Sequence, residues 1–213
     1  LEFGDLYFRV YKDEGQIVDS TSGEPIEVTT TYAEADLFDL KFAQDADTLY
    51  IAHPSYAPRK ITRSSHTSWT IAAVSFTGSG FPSDFAGGSA GAGSDANNNN
   101  PGAVTFFQER LWWGGSNNSP QKIWASKTGD FENMDQGTGL ANEGLEYVLG
   151  TNDVNFIRWL KASESMLIGT VGAEFRLSAN GAAVTPSNVL ITRETNHGSN
   201  TVDPVVAGRA VLF

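Results

Sequence analysis

Side-chain chemistry in this chain has to come from oxygen and imidazole groups, because its 213 residues include no cysteine. Disulfides and thiolate-bound metals are thereby excluded. The three histidines, His53, His66 and His197, stand far apart, without the H-x-x-x-H spacing that sets two imidazoles on one metal. Asp45 with Asp47, and Asn152-Asp153 with Asn155, offer oxygen ligands at short spacing. Neither group has the glycine-bearing loop of a Ca²⁺ site, and acidic turn residues explain both more simply. Serine is plentiful, but none is set in the strand-turn-helix frame of a nucleophile elbow. The Gly-rich stretches at Gly78-Ser79-Gly80 and at 87–93 lack the Lys-Ser/Thr that completes a phosphate loop. A glycan hydrolase needs two opposed carboxylates, and nothing singles out such a pair. No residue is therefore assigned a catalytic, cofactor-binding or metal-binding role. The expectation is a protein that is not an enzyme and carries no cofactor.

Two further features bear on binding. Ser126-Lys127-Thr128-Gly129-Asp130-Phe131 is similar to the Asp-box turn of sialidase-type propellers, but here the acid follows the glycine and the turn does not recur. A structural turn needs no more than Gly for the backbone and Asp for nearby amides. The aromatic residues Phe106, Phe107, Trp112 and Trp113 could stack sugars or bases if exposed, with the Asn117-Asn118 loop supplying polar groups. Burial in a sheet core is the commoner fate of such a run and is expected here.

These residues sit in the stretch that organises the chain, 103–134, which holds three of the five tryptophans. It reads as two apolar runs, 104–113 and 122–126, joined by the turn cluster 114–120, the form of a wide β-hairpin. Ahead of it, residues 6–11 alternate, with Leu6, Phe8 and Val10 on one face, and 16–18 return to make a first hairpin. Thr31-Tyr32-Ala33-Glu34 has the form of a capping box. With Leu37, Phe38, Leu40 and Phe42 behind it, a short helix over about 32–44 is expected. Residues 48–53 read as a strand, 54–58 as a turn, 60–62 as a short return strand and 69–76 as another strand. The segment at about 78–102 is low in complexity and rich in Gly, Ser and Asn, and is expected to be a flexible surface loop. Beyond the central hairpin, strands are expected at 145–150, 156–161, 166–169, 174–177, 189–192 and 210–213.

Composition agrees with one β-rich region spanning 1–213. There are 22 glycines and few long helical patterns, and no run approaches the roughly 18 apolar residues of a membrane span. With 14 basic against 25 acidic residues the net charge is −11, a sign that repels phosphates. A weak internal repeat also emerges, an apolar-apolar-small strand followed by a turn and a second strand. It starts near Leu49, Leu111, Met166 and Val211, at spacings of 62, 55 and 45 residues. Such irregular repeats are how propeller blades read in sequence. The fold class expected is all-β, with β-propeller-like blades of antiparallel hairpins and one short helix.

Several segments carry a family resemblance. They are Leu1-Glu2-Phe3-Gly4-Asp5 with Arg9-Val10-Tyr11-Lys12-Asp13, the run 32–44, His53-Pro54-Ser55-Tyr56, the run 101–108, Arg110-Leu111, the strand after Pro120-Gln121 with Gly129-Asp130, and Thr185-Pro186-Ser187. In this order they resemble the tail tubular protein B, or nozzle, family of short-tailed phages and related prophages. The resemblance implies a propeller-containing subunit of a six-fold ring around the DNA exit channel of a virion. The ring would lie below an adaptor ring and dock tail fibre or spike proteins, with genomic DNA passing through the lumen unbound. Family members run to several hundred residues, so the chain, which lacks an initiator Met and stops on Val211-Leu212-Phe213, is expected to be part of a longer protein. The acid-rich stretches 34–47 and 130–146 are the candidates for the lumen wall. The alternative is an exposed carbohydrate- or host-receptor-binding β-module of a virion.

Overall fold

The computed structural model describes residues 1–78, 99–150, 154–208 and 210–213. The chain is an all-β protein; the described residues are 49% strand and 3% helical, built from several small antiparallel sheets, and form no closed barrel.

Strands β1 (Glu2–Gly4) and β2 (Tyr7–Arg9) come first, a ribbon of β3 (Tyr11–Lys12) and β4 (Gly15–Gln16) follows, and β5 (Glu27–Thr29) returns to pair with β2. Phe8 and Val10 are buried here as the alternation predicts. Leu6 is not: it sits at φ 64° in the β1–β2 turn and is exposed.

The expected helix over 32–44 is corrected. Only a 3-10 helix, Glu34–Asp39, forms, and β6 (Lys41–Asp45) begins two residues later. Thr31 does not cap it. The Glu34 amide donates to Asp5 Oδ1 at 3.0 Å, a partner 29 residues away. Leu37 and Leu40 pack against the N-terminal core, but Phe38 is 97% exposed and Phe42 is exposed too, so only part of the apolar spacing faces a core. A 3-10 turn stays short when so little of its stripe is packed.

Three four-stranded antiparallel meanders follow, each built from strands consecutive in sequence. The first is β6, β7 (Thr48–His53), β8 (Tyr56–Ser65) and β9 (Ser68–Ala73). Its turn is shorter than the expected 54–58, and the return strand longer than 60–62. Pro58 lies inside β8 at a shift in register, where a missing amide costs no ladder bond and its carbonyl still accepts from Val74 N at 2.8 Å. The second meander is β10 (Ala103–Phe107), β11 (Arg110–Gly114), β12 (Lys122–Ala125) and β13 (Leu145–Val148). The apolar run 104–113 is thus two strands, broken by a two-residue turn at Gln108-Glu109 with φ 49° and 57°. Neither residue type announces a turn of this hand, which favours Asn and Gly. The third meander is β14 (Ile157–Ala162), β15 (Met166–Thr170), β16 (Glu174–Ser178) and β17 (Leu190–Thr195). A last pair, β18 (Val205–Ala207) and β19 (Ala210–Leu212), follows the third meander.

The meanders stack face to face, and the first strands are the contact line: β10 lies beside both β6 and β14. Leu49, Leu111, Met166 and Val211, the starts of the sequence repeat, all fall in the second strand of their sheets. Side-chain alternation distributes the core. In the second meander Trp113 and Trp124 face the first, against Tyr50, Val74 and Phe76, while Trp112, Ile123 and Ala125 face the third, against Ile157, Met166 and Phe175. Trp112, Trp113 and Trp124 are all fully buried. The first meander turns its other face, with Ile51 and Ile61, to Phe8, Val10 and Tyr32 of the N-terminal sheet. On the far side of the third meander Trp159 lies over Gly169, where any Cβ would fall within 2.1 Å of the indole. Phe213 stacks on the same indole at 5.4 Å. Across the line of first strands, Lys41 reaches Asp203 at 3.0 Å and donates to the Thr201 carbonyl, tying the first meander to the segment after the third.

The low-complexity segment falls mostly on 79–98, outside the described residues. Among the described residues no helix is long and apolar enough to cross a membrane.

Candidate functional site

The Gln108-Glu109 turn is the ridge between two clefts, each lined in part by polar side chains. Positive φ at two consecutive non-glycine residues is unfavourable unless neighbours hold it. Here Gln108 Oε1 accepts from Val184 N at 2.6 Å, and the Glu109 carbonyl accepts from Gly129 N at 2.8 Å. The turn is pinned from both sides.

On one side lies an open cleft of about 630 Å³ between the turn, Thr128, the 141–142 loop and residues 181–185. Arg110, 1% exposed, forms part of its wall. Its guanidinium donates to the carbonyls of Ser126 (2.7 Å), Glu143 (2.5 Å) and Ala141 (2.6 Å), fastening the loop after β12 back onto β11. Burial lowers the Arg110 pKa, yet the three carbonyl dipoles keep the cation in place. Glu143 organises the same loop from the other end. Its Oε2 accepts from the amides of Thr138 (2.8 Å), Gly139 (2.6 Å) and Leu140 (2.7 Å), and these bonds hold its pKa below the ordinary glutamate value. Every donor of Arg110 that reaches this loop is used on backbone, so the group is an internal staple.

On the other side a second cleft, about 470 Å³, runs between this turn and the β6–β7 turn of the first meander. Phe106 and Phe131, both half-buried, form its floor at 4.8 Å and 70°, with Phe107 beneath. Tyr50 stacks edge-on behind Phe106 at 5.9 Å. Gln44, Asp45, Gln108 and Glu109 make the rim, with Gly129 at φ 70° letting the chain turn close beside them. Among the described residues neither Lys nor Arg lines this cleft. Behind the floor, burial first and then Glu132, Asp45 and Asp130 push the Tyr50 pKa up.

The polar residues singled out by spacing do not converge on one site. His53 is buried, accepts from Ser55 N at Nδ1 (3.1 Å), and burial lowers its pKa. His66 lies beside Arg63, far along the chain from either cleft. Asp47 pairs with Arg63 at 2.8 Å, whereas Asp45 stands on the rim of the aromatic cleft. Among the described residues no three His, Asp or Glu side chains gather as metal ligands would. Asn152 and Asp153 lie outside the described residues. In 126–131 Ser126 Oγ accepts from Leu111 N at 3.0 Å and Gly129 bonds Glu109, so this turn is a fastening between hairpins. Trp112 and Trp113 are closed to any ligand, and the Asn117-Asn118 loop instead donates an amide to Asn99 Oδ1 at 2.8 Å. Of the acids in 130–146, Glu132 bonds Lys60 and Tyr50, Glu146 pairs with Lys122 at 2.9 Å, and Glu143 caps its loop. In 34–47, Glu34, Asp39 and Asp45 are exposed. The aromatic cleft escaped sequence reading because its two walls come from turns about sixty residues apart in the chain. The one signal in sequence was the aromatic pair Phe106-Phe107, expected to be buried: Phe107 is, while Phe106 is half-buried in the cleft floor.

Neither the models of known protein families nor the curated proteins include a match to this chain.

Proposed function

We propose that this chain is a structural component of a short-tailed phage tail, the propeller portion of a nozzle-type subunit in a ring that conducts DNA and docks neighbouring tail proteins. The observation that carries the reading is the order in which the meanders stack. Three consecutive four-stranded antiparallel sheets pack face to face with their first strands β6, β10 and β14 side by side, as successive blades about an axis would. The segments that resemble the nozzle family lie on this frame: 32–44 leads into the first blade, 101–111 opens the second, and Thr185-Pro186-Ser187 precedes the last strand of the third. Phe38 and the exposed Val202, Val205, Leu212 and Phe213 offer apolar surface for neighbouring subunits or for adaptor, fibre or spike proteins.

An acidic surface suits a conduit, because cationic walls would hold phosphates through counterion release. Glu34, Asp39 and Asp45 are the acids best placed to act this way, since those of 130–146 are largely engaged within the fold. Shape and field suffice for this role and no catalytic group is needed. Localisation of the full-length protein in purified virions by labelling and electron microscopy tests the reading. Rings, six-fold on the family pattern, at the tail are expected. Absence from virions, or a monomer that stays monomeric beside its tail partners, would overturn it.

A further inference from the structure

We propose that the aromatic cleft between the β6–β7 and β10–β11 turns binds an arginine side chain presented by a partner polypeptide. This goes beyond the tail assignment and does not depend on it.

Shape comes first. Phe106 and Phe131 meet at 70° with centroids 4.8 Å apart, so they form a corner and not a flat platform. A pyranose stacks best on one open ring face. A corner instead lets a guest lie against the negative face of one ring while the second ring closes its side, which favours a cation. Charge agrees. Asp45 and Glu109 stand on opposite rims, both exposed, and among the described residues no cationic side chain lines the cleft to neutralise them. The nearby Lys60 is turned to Glu132, behind Tyr50. A planar guanidinium can lie against one ring while its N–H groups reach carboxylates at the edge, which a spherical ammonium does less well.

Size and rigidity narrow the occupant. About 470 Å³ is far more than one guanidinium fills, and the cleft is open, so there is room for the chain that carries it. Both rims are already held. Gln44 Nε2 donates to the Ala46 carbonyl at 3.0 Å within a turn where Ala46 has φ 47°, and the Gln108-Glu109 turn is pinned at Val184 and Gly129. A preorganised rim loses little entropy when the guest arrives. The side-chain amides of Gln44 and Gln108 are each engaged at one end in holding these rims.

The test uses the full chain and three short blocked peptides that differ at one central residue: arginine, its uncharged isostere citrulline, or glutamate. Two-dimensional NMR follows the Phe106 and Phe131 ring signals during each titration. The arginine peptide should shift both rings and bind about tenfold tighter than citrulline, with glutamate weaker still. Raising salt from about 0.05 to about 0.3 M should weaken the arginine peptide alone. Asp45→Asn with Glu109→Gln, both exposed positions, should bring arginine to the citrulline level with unchanged backbone signals elsewhere. Equal binding of arginine and citrulline, shifts that avoid both rings, or ring shifts by a neutral oligosaccharide in place of the peptide would overturn the proposal. The citrulline comparison needs no variant, so it decides the matter even if the double mutant misfolds.

Discussion

Strands β11 and β19 occupy the same place, second in their sheets, and both are rich in apolar residues. Yet Leu111, Trp112 and Trp113 are fully buried, while Leu212 is 60% exposed. The difference lies in their neighbours. β11 belongs to a sheet with another meander on each face, so consecutive residues pointing opposite ways are both covered. β19 belongs to a two-stranded pair with the third meander on one side alone. Burial in this fold is therefore passed from sheet to sheet, and apolar content without a flanking sheet does not produce it.

The comparison is most sharply tested at its two extremes. Trp113→Ala should cost about 3–5 kcal/mol, as expected for an aromatic side chain removed from a packed interior. Leu212→Ala should change stability by about 0.5 kcal/mol or less. Urea unfolding of the two variants measures both. Similar losses at the two sites would show that β18–β19 is as much a part of the core as the second meander.

Arg110 tests whether the second meander relies on polar fastening as well as packing. Arg110→Met removes the donor to three carbonyls and should cost about 3 kcal/mol, the larger part of it from acceptors left buried without partners. Arg110→Lys should recover a portion, because an ammonium has the charge but not the planar reach. A methionine variant as stable as the parent would mean that water replaces the guanidinium and the loop is not held by it.

The sequence made the sheets visible and concealed the joints between them. Alternation and turn clusters located most strands of the three meanders, though β6 was read as helix and β10 with β11 as one run, and the repeat starts fell in equivalent strands. Three departures from expectation share a physical cause. The 32–44 segment carried helical spacing and a capping-box pattern, but its cap came from Asp5 and Leu40 was claimed by the core shared with Phe8 and Ile51. The 104–113 run hid a turn at Gln108-Glu109 whose backbone is held by Val184 and Gly129. The expected 54–58 turn spans only two residues, with Pro58 accommodated by a register shift between β7 and β8 and its carbonyl taken by Val74 N, beyond β9. In each case the deciding partner is distant in sequence, and local propensity cannot report it. The aromatic cleft failed to appear for the same reason.

Acid should act on the first meander, through His53, before it acts on the second, through Glu143. The Glu143 pKa is lowered in the fold by three amide donors, so its contribution is fully present above the ordinary glutamate value and fades as pH falls through the lowered one. Thermal melts should therefore lose stability from about pH 4.3 downward, and Glu143→Gln should flatten that part of the profile. His53 acts in a higher window. Burial lowers its pKa, so neutral His53 favours the fold at about pH 7 and protonation below about pH 6.5 opposes it. His53→Gln should remove the slope there and leave the Glu143 portion unchanged. A variant pair that alters neither slope would separate stability from both groups.

A small and local effect is expected where the residue after β19 covers a neighbouring side chain. Trp159 is 1% exposed although it lies on the outer face of the third meander. Its shielding comes from two directions: Gly169 beneath, whose missing Cβ leaves room for the indole, and Phe213, stacked at 5.4 Å and 48°. Phe213 is itself 56% exposed, so it gains little from its own burial and acts chiefly as a lid on the indole. Phe213→Ala should then cost only about 1 kcal/mol, the usual worth of an aromatic pair. The more telling readout is local. With all five tryptophans labelled by ¹⁹F, the Trp159 resonance alone should move toward the solvent-exposed position, while Trp112, Trp113 and Trp124 stay fixed. Movement of the other signals would mean that covering is transmitted through the third meander to the second. An unmoved Trp159 would mean that β18–β19 shields nothing, and that its apolar residues face outward for some other contact.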